Sequence, residues 1–269
     1  MNNREYQIFK KGSKTYFYSS LFFPRPLRDD VFTLYAFVRV ADDCVDAVPA
    51  DAAAFIAFRN NYTQAIGGTP SGISVIDRFC DLSLRKKFNP AWAEAFLDSM
   101  QADLTKKEYN TLDETLGYIY GSAEVIGLYM SSLMNLKPNA LHAAVMLGRA
   151  MQYINFIRDI DEDNGLGRRY LPVAGTPLLS LHTEYARRNH DEFCRFVRIQ
   201  IAQYRTWQAE AEKGFQYIPF RYRIPVKTAS AMYSWTALVI EKNPMIVFDC
   251  KVKPSVARII FTTLRSVFS

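Results

Sequence analysis

QYINFIRDIDEDNGLGRRYLP, from Gln152 to Pro172, decides how the rest of the chain reads. Wound as a helix, it lines up Gln152, Asn155, Asp159 and Asp163 at steps of three, four and four. Side chains three and four apart are neighbours on a helix surface. Two carboxylates and two carboxamides therefore face one way in a segment otherwise built of Tyr153, Ile154, Phe156, Ile157 and Ile160. Carboxylates almost never enter a core without a partner. A hard divalent cation suits such oxygen donors, because Mg²⁺ is commonly held by one or two carboxylates together with substrate phosphates. Taken by itself, the stretch reads equally well as a solvated face near a helix end.

A second line of the same kind breaks the tie. Tyr35, Arg39, Asp42 and Asp46 fall at steps of four, three and four, with Leu34, Phe37, Val38, Ala41 and Val45 on the apolar side. Asp43 is one position off that line and points about a hundred degrees away. A third Asp-x-x-x-Asp, Asp77 with Asp81, acts as a control. Ser74 stands where the arginine would be and Pro70 where the tyrosine would be, so it reads as a solvated helix face. Two carboxylate lines on facing helices suit a metal cluster in a bundle core. The chemistry this serves is departure of a diphosphate, with the metal stabilising the leaving charge. Arg39, Arg158 and Arg168 are further donors to the same anion. A carbocation left behind needs shielding from water and aromatic faces, for which Tyr35, Tyr120, Tyr170 and Tyr233 are candidates.

The composition agrees. The 269 residues are 49% hydrophobic and 22% charged, with 16 Tyr and 19 Phe, which suits a large core or an apolar cavity. Twelve Gly and twelve Pro leave little room for the tight turns of an all-β fold. The net charge of +6 favours anionic partners, but it is dispersed, so nucleic acid is not expected. Cys44, Cys80, Cys194 and Cys250 form no close pair, and His142, His182 and His190 stand apart. This is neither a disulfide framework nor a zinc site, and it fits a cytoplasmic protein. The opening MNNREYQIFKKGSK lacks the apolar run of a secretory leader. Leu116 to Leu136 is long enough to cross a bilayer, but Glu124 at its middle would cost roughly 3 kcal/mol there. It reads instead as a central helix covered by others. Helical periodicity predicts helices near 4–10, from Asp29 or Asp30 to 48, 51–66, 73–86, 90–105, from Thr111 or Asp113 to Pro138, 139–163, 184–213, 225–242 and 255–267. The expected fold is all-α, a single helical-bundle domain over 1–269.

These residues resemble the squalene/phytoene synthases, head-to-head prenyltransferases of the all-α isoprenoid synthase fold with a central apolar cavity. The resemblance covers nearly the whole chain. It rests on GSKTYFY (12–18), YAFVRVADDCVD (35–46), YGSAEVIGLYM (120–130), QYINFIRDIDEDNGLGRRYLP (152–172) and PVKTASAMYSWTALVI (225–240). It implies that Asp42, Asp46, Asp159 and Asp163 bind Mg²⁺ (Mn²⁺ as a substitute), with Asn155 beside them. Gly12, Ser13, Lys14, Thr15, Tyr35, Arg39, Gln152, Asn155, Arg158 and Tyr233 would meet the substrate. Arg168 and Tyr170 would sit on a flap, and Tyr120 would face the pocket. The implied reaction joins two prenyl diphosphates through a cyclopropyl diphosphate that then ionises and rearranges. The likeness is greatest to microbial phytoene synthases, so geranylgeranyl diphosphate and carotenoid biosynthesis are expected. Farnesyl diphosphate, giving dehydrosqualene or squalene, is the alternative.

Gly165 and Gly167 follow no strand and make no dinucleotide fingerprint, which favours an ending without NADPH. Phe22, Phe23, Met130 and Met151 are candidates for the tunnel floor. The last helix, VARIIFTTLRSVF (256–268), is expected to pack on the bundle, with peripheral contact at the inner face of a membrane as the alternative. A monomer or weak dimer is expected. Two rival readings remain: a one-substrate terpene cyclase, which would want Ser or Thr at Asp159 and Glu at Asp163, and a non-catalytic isoprenoid-binding or assembly protein, which would lack the carboxylates.

Overall fold

A computed structural model of the chain describes residues 3–267. Met1 and Asn2 of the opening segment, and Phe268 of the last helix, lie outside the described residues. The helices are α1 (Asn3–Gly12), α2 (Lys14–Ser20), α3 (Arg25–Asp46), α4 (Ala52–Ile66), α5 (Ser74–Lys86), α6 (Pro90–Thr105), α7 (Leu112–Ile119), α8 (Val125–Leu133), α9 (Leu141–Arg158), α10 (Ile160–Gly165), α11 (Thr183–Arg188), α12 (His190–Glu212), α13 (Phe220–Lys242), α14 (Ile246–Asp249) and α15 (Val256–Val267). Among the described residues there is no strand beyond one parallel bridge between Glu108 and Arg169. No helix among them is long and apolar enough to cross a membrane.

Local chemistry sets the boundaries. Asp51 caps α4 by accepting from the Ala54 amide at 2.9 Å, and Thr111 caps α7 by accepting from Glu114 at 3.2 Å. Pro90 opens α6 behind the Asn89 cap, where its missing N–H costs nothing. Pro24 and Pro26 act the same way at α3, which starts at Arg25 rather than at Asp29 or Asp30. The run expected over 139–163 is not one helix. It breaks at Asp159, whose backbone leaves helical geometry (φ −101°, ψ 17°), and resumes as α10. The run over 184–213 breaks likewise at Asn189. Asp77 is not an idle solvated group: its carboxylate accepts from the Ser71 amide and hydroxyl and the Gly72 amide, tying the loop before α5.

One contiguous core runs from Phe9 to Val252. Phe37 of α3 stacks on Phe79 of α5 at 3.8 Å between ring centroids. Burying each such ring stabilises by roughly 1.5–3 kcal/mol, and this pair fixes α3 in place. α7 and α8 are joined by a π-helical turn, Tyr120–Glu124. Glu124 is buried and accepts from Arg149 Nε of α9 at 2.6 Å, so the one charge of the central helix is neutralised by its neighbour. α8 and the π-helical turn before it touch α9 backbone to backbone. A Cβ on Gly127 would lie 2.2 Å from the Ala144 carbonyl oxygen, and one on Gly148 2.4 Å from that of Ala123. Gly148→Ala is therefore expected to cost about 1–3 kcal/mol, read as a lower urea midpoint with an unchanged slope. An unchanged midpoint would show that the helices separate freely.

Candidate active site

α3 and α9 bring the two carboxylate lines to one end of a cavity of about 1030 Å³. α3 presents Tyr35, Arg39, Asp42 and Asp46. α9 and the break after it present Gln152, Asn155, Arg158 and Asp159, and α10 presents Asp163. Gly12, Ser13, Lys14 and Thr15 form the adjoining wall, and Tyr233 enters from α13. The joint is close-packed: a Cβ on Gly12 would lie 2.3 Å from the Tyr35 hydroxyl. Ser13 caps α2, accepting from the Tyr16 amide at 3.3 Å, and Tyr35 stacks on Phe9 at 3.8 Å.

Tyr120 is the exception among the expected residues. It is 43% exposed and does not line the cavity. The cavity face of this helix is Tyr118, Ser122, Ile126 and Met130, at steps of four, and a residue two positions off such a line points to the other side. Among the floor candidates, Phe22 is exposed, whereas Phe23, Met130 and Met151 line the cavity. Arg168 and Tyr170 reach the cavity but are buried anchors rather than a loose flap. Arg168 donates to Asp46 Oδ1 at 2.7 Å and to the Val45 carbonyl, and Tyr170 donates its hydroxyl to Asp103 at 2.6 Å.

Three of the four aspartates carry their own arginine. Arg39 meets Asp42 at 3.0 Å, Arg168 meets Asp46, and Arg158 holds Asp159 through Nε at 2.8 Å. Asp163 forms no ion pair among the described residues. Burial, with Asp159 and Glu162 nearby, holds its carboxyl well above the usual carboxylate range. Burial and then Asp46 push Asp42 up to about 7, against the opposing pull of Arg39. A cation relieves both, so the donor set fits one. The Asn155 carboxamide oxygen is also buried without a hydrogen-bond partner. No three acidic, His or Cys side chains among the described residues stand close enough to hold an ion by themselves. Mg²⁺ bound by proteins commonly takes part of its shell from substrate phosphates and water.

The sequence reading missed several cavity residues. Asp103 of α6 is 2% exposed and accepts from both Tyr118 and Tyr170 at 2.6 Å, with Arg168 at 4.0 Å. Its signal was present: Phe96, Met100 and Asp103 share one helix face. Lys251 and Lys253 sit in the α14–α15 connection, which carries no periodic pattern. Lys251 pairs with Asp159 at 3.3 Å and with Glu162. Burial, then Lys251, lower the pKa of Lys253. Tyr16 faces Tyr233, ring centroids 5.8 Å apart.

An all-α bundle that holds carboxylates and arginines at the head of a long apolar cavity defines the isoprenoid synthase class of enzymes. Within that class, the chain belongs to the squalene/phytoene synthase family, whose family model matches residues 9–258. It is a prenyltransferase of that type. It is 28% identical to 15-cis-phytoene synthase of Pantoea ananas, over 92% of this chain and 84% of that one. It is 30% identical to 15-cis-phytoene synthase of Enterobacter agglomerans, over 82% and 80%. The fold is shared with a dehydrosqualene synthase solved in complex with a ligand (TM-score 0.83, 22% identity, 98% of this chain and 94% of that one). It is shared also with squalene synthase HpnC from Alicyclobacillus acidocaldarius (TM-score 0.77, 22% identity, 88% and 91%).

Proposed function

We propose that the chain, as one isoprenoid synthase domain over 1–269, condenses two geranylgeranyl diphosphates head to head into phytoene. The observation that carries the two-substrate reading is that both carboxylate lines meet at one end of the same cavity. Its 1030 Å³ lies at the upper edge of the range of roughly 300–1,000 Å³ usual for one small ligand. The C20 choice rests on the relatives above.

Asp42, Asp46, Asn155, Asp159 and Asp163 would hold Mg²⁺. When bound, the metal supplies Lewis-acid stabilisation of the departing diphosphate. Arg39 and Arg158 exchange their aspartate partners for phosphate oxygens, as bidentate donors to an anion of similar geometry. Lys14, Lys251 and Lys253 add charge around the mouth. Below them Phe23, Val226, Met130 and Leu147 line an apolar channel that keeps water from the cation. The rings of Tyr16, Tyr35 and Tyr233 present negative faces to it. The reaction ends by proton loss, with no reduced nicotinamide.

Purified protein incubated with Mg²⁺ and geranylgeranyl diphosphate is expected to give phytoene without NADPH. Farnesyl diphosphate is expected to turn over at least about tenfold more slowly, since each pair of lost methylene contacts weakens transition-state binding. A squalene product that appears only with NADPH would overturn both choices.

A further inference from the structure

Lys251 reaches the carboxylates of α9 and α10 from outside the motif helices. α14 packs on α10, and the connection that follows it is pinned by Val252 and Pro254, both buried. The Lys251 side chain, 34% exposed, stands beside this anchor. Its ammonium meets Asp159 Oδ1 at 3.3 Å and also the Glu162 carboxylate. Arg158 donates to the same Asp159 Oδ1 through Nε and to Oδ2 through its terminal nitrogen. Both oxygens of Asp159 are therefore engaged. A metal ion can take this carboxylate only if one of the donors gives way.

The two donors are unequal. Arg158 forks over both oxygens, and its side chain is 16% exposed. A guanidinium is a planar, pre-organised fork, whereas an ammonium is a compact charge on a flexible stem. Lys251 also has a second partner to fall back on, since Glu162 lines the same mouth of the cavity. The α3 line is built differently. Asp42 and Asp46 are held by Arg39 and Arg168, from a helix and from a buried anchor. The displaceable charge thus sits on the α9–α10 side.

We propose that Lys251 is a built-in counter-cation of Asp159, which a divalent cation displaces onto Glu162. In the metal-free chain the lysine offsets part of the charge crowded at Asp159, Glu162 and Asp163. When a metal ion binds, the lysine keeps Glu162 alone, and its charge stays at the mouth where a diphosphate enters. Lys251 is a positioning residue, because it acts on the metal through Asp159. The proposal rests on the reading that Asp159 and Asp163 hold the cation, and not on the length of the prenyl chain. Lysine and metal compete for one carboxylate, so whatever strengthens one hold weakens the other.

Mg²⁺ alone is titrated calorimetrically into the full chain without substrate, and melting curves are recorded in EDTA. Lys251→Met is expected to bind Mg²⁺ about threefold more tightly than the wild type, since the metal no longer breaks a part-exposed ion pair. The same variant should melt slightly lower in EDTA. Glu162→Gln is expected to bind Mg²⁺ about threefold more weakly, because the displaced lysine then has no second carboxylate. The double variant separates this from a plain effect of charge. With the lysine gone, Glu162→Gln should change the affinity much less than it does in the wild type. A lysine that only braces the connection would lower the melting temperature and leave the affinity unchanged. That result, or weaker Mg²⁺ binding by Lys251→Met, overturns the proposal. So do equal effects of Glu162→Gln in the two backgrounds. A wild type that does not bind Mg²⁺, or an Asp159→Asn variant that binds it as tightly as the wild type, overturns the metal assignment and the proposal with it.

Discussion

Asp42→Asn is expected to abolish turnover, by at least about a hundredfold, and yet to melt higher than the wild type in metal-free buffer. The two effects have one cause. Asp42 stands at the cavity wall with its carboxyl pushed from 3.8 up to about 7 by burial and then by Asp46. A folded-state pKa above the unfolded one means that the group's contribution is full below about pH 4 and is lost as the pH rises through 7. Asparagine has no such loss. The stability advantage of the variant should therefore grow between pH 4 and 7 and stay level above. At this size, roughly 2–4 °C of melting temperature corresponds to each kcal/mol. The charge that destabilises the folded chain is the charge that a bound cation would stabilise. Millimolar Mg²⁺ should accordingly raise the melting temperature of the wild type, by mass action on the folded state, and raise that of the variant less. Asp159→Asn should lose turnover to a similar degree but melt lower, because Asp159 is held by Arg158 and Lys251 and its removal leaves a largely buried guanidinium underpaired. Full activity in either variant would sink the paired-carboxylate mechanism.

What could be read from the sequence is what helical periodicity encodes. Tyr35–Asp46 and Gln152–Asp163 were legible because each puts oxygen donors on one face of an otherwise apolar helix, and facing lines then imply a cavity between them. Periodicity assumes an unbroken helix, however, and α9 breaks at Asp159. The break costs little to the prediction because α10 resumes at once and Asp163 still reaches the cavity. Tyr120 was misplaced for a related reason. Tyr118 and Tyr120 are equally aromatic, and only the phase set by Ser122, Ile126 and Met130 separates the inner one from the outer. Lys251 and Lys253 were not legible, since a loop has no face until the helices on either side fix it. α15 packs on α2 and α13 as expected. Its amphipathic pattern was plain, but the pattern does not say which face turns toward the protein.

Asp103→Ala should be among the most destabilising single substitutions in the chain, although no motif marks the residue. Its carboxylate accepts two tyrosine hydroxyls, from Tyr118 of α7 and Tyr170 of the loop after α10, and lies beside Arg168. Burial raises its carboxyl to about 6, and Arg168 and the two hydroxyls keep the rise from going further. Alanine leaves those hydroxyls without an acceptor, each at about 1–3 kcal/mol, and removes a charge that faces the buried Arg168. A loss of about 3–5 kcal/mol follows, read as a fall of the urea midpoint. Asparagine should cost much less, because its carbonyl oxygen still accepts one hydroxyl and its amide donates to the other. Turnover should separate the variants further. Arg168 is the group that holds Asp46, and Asp103 is what orients Arg168 from behind. Asp103→Asn, folded and nearly as stable as the wild type, should therefore show a higher KM for Mg²⁺ with a smaller change in kcat. If Asp103→Ala unfolds no more readily than Asp103→Asn, the three side chains are not coupled through this carboxylate. The loop from Leu166 to Tyr170 would then be held mainly by the stacking of Tyr170 on Phe156, 4.3 Å between centroids, and a Tyr170→Phe variant would be as stable as the wild type.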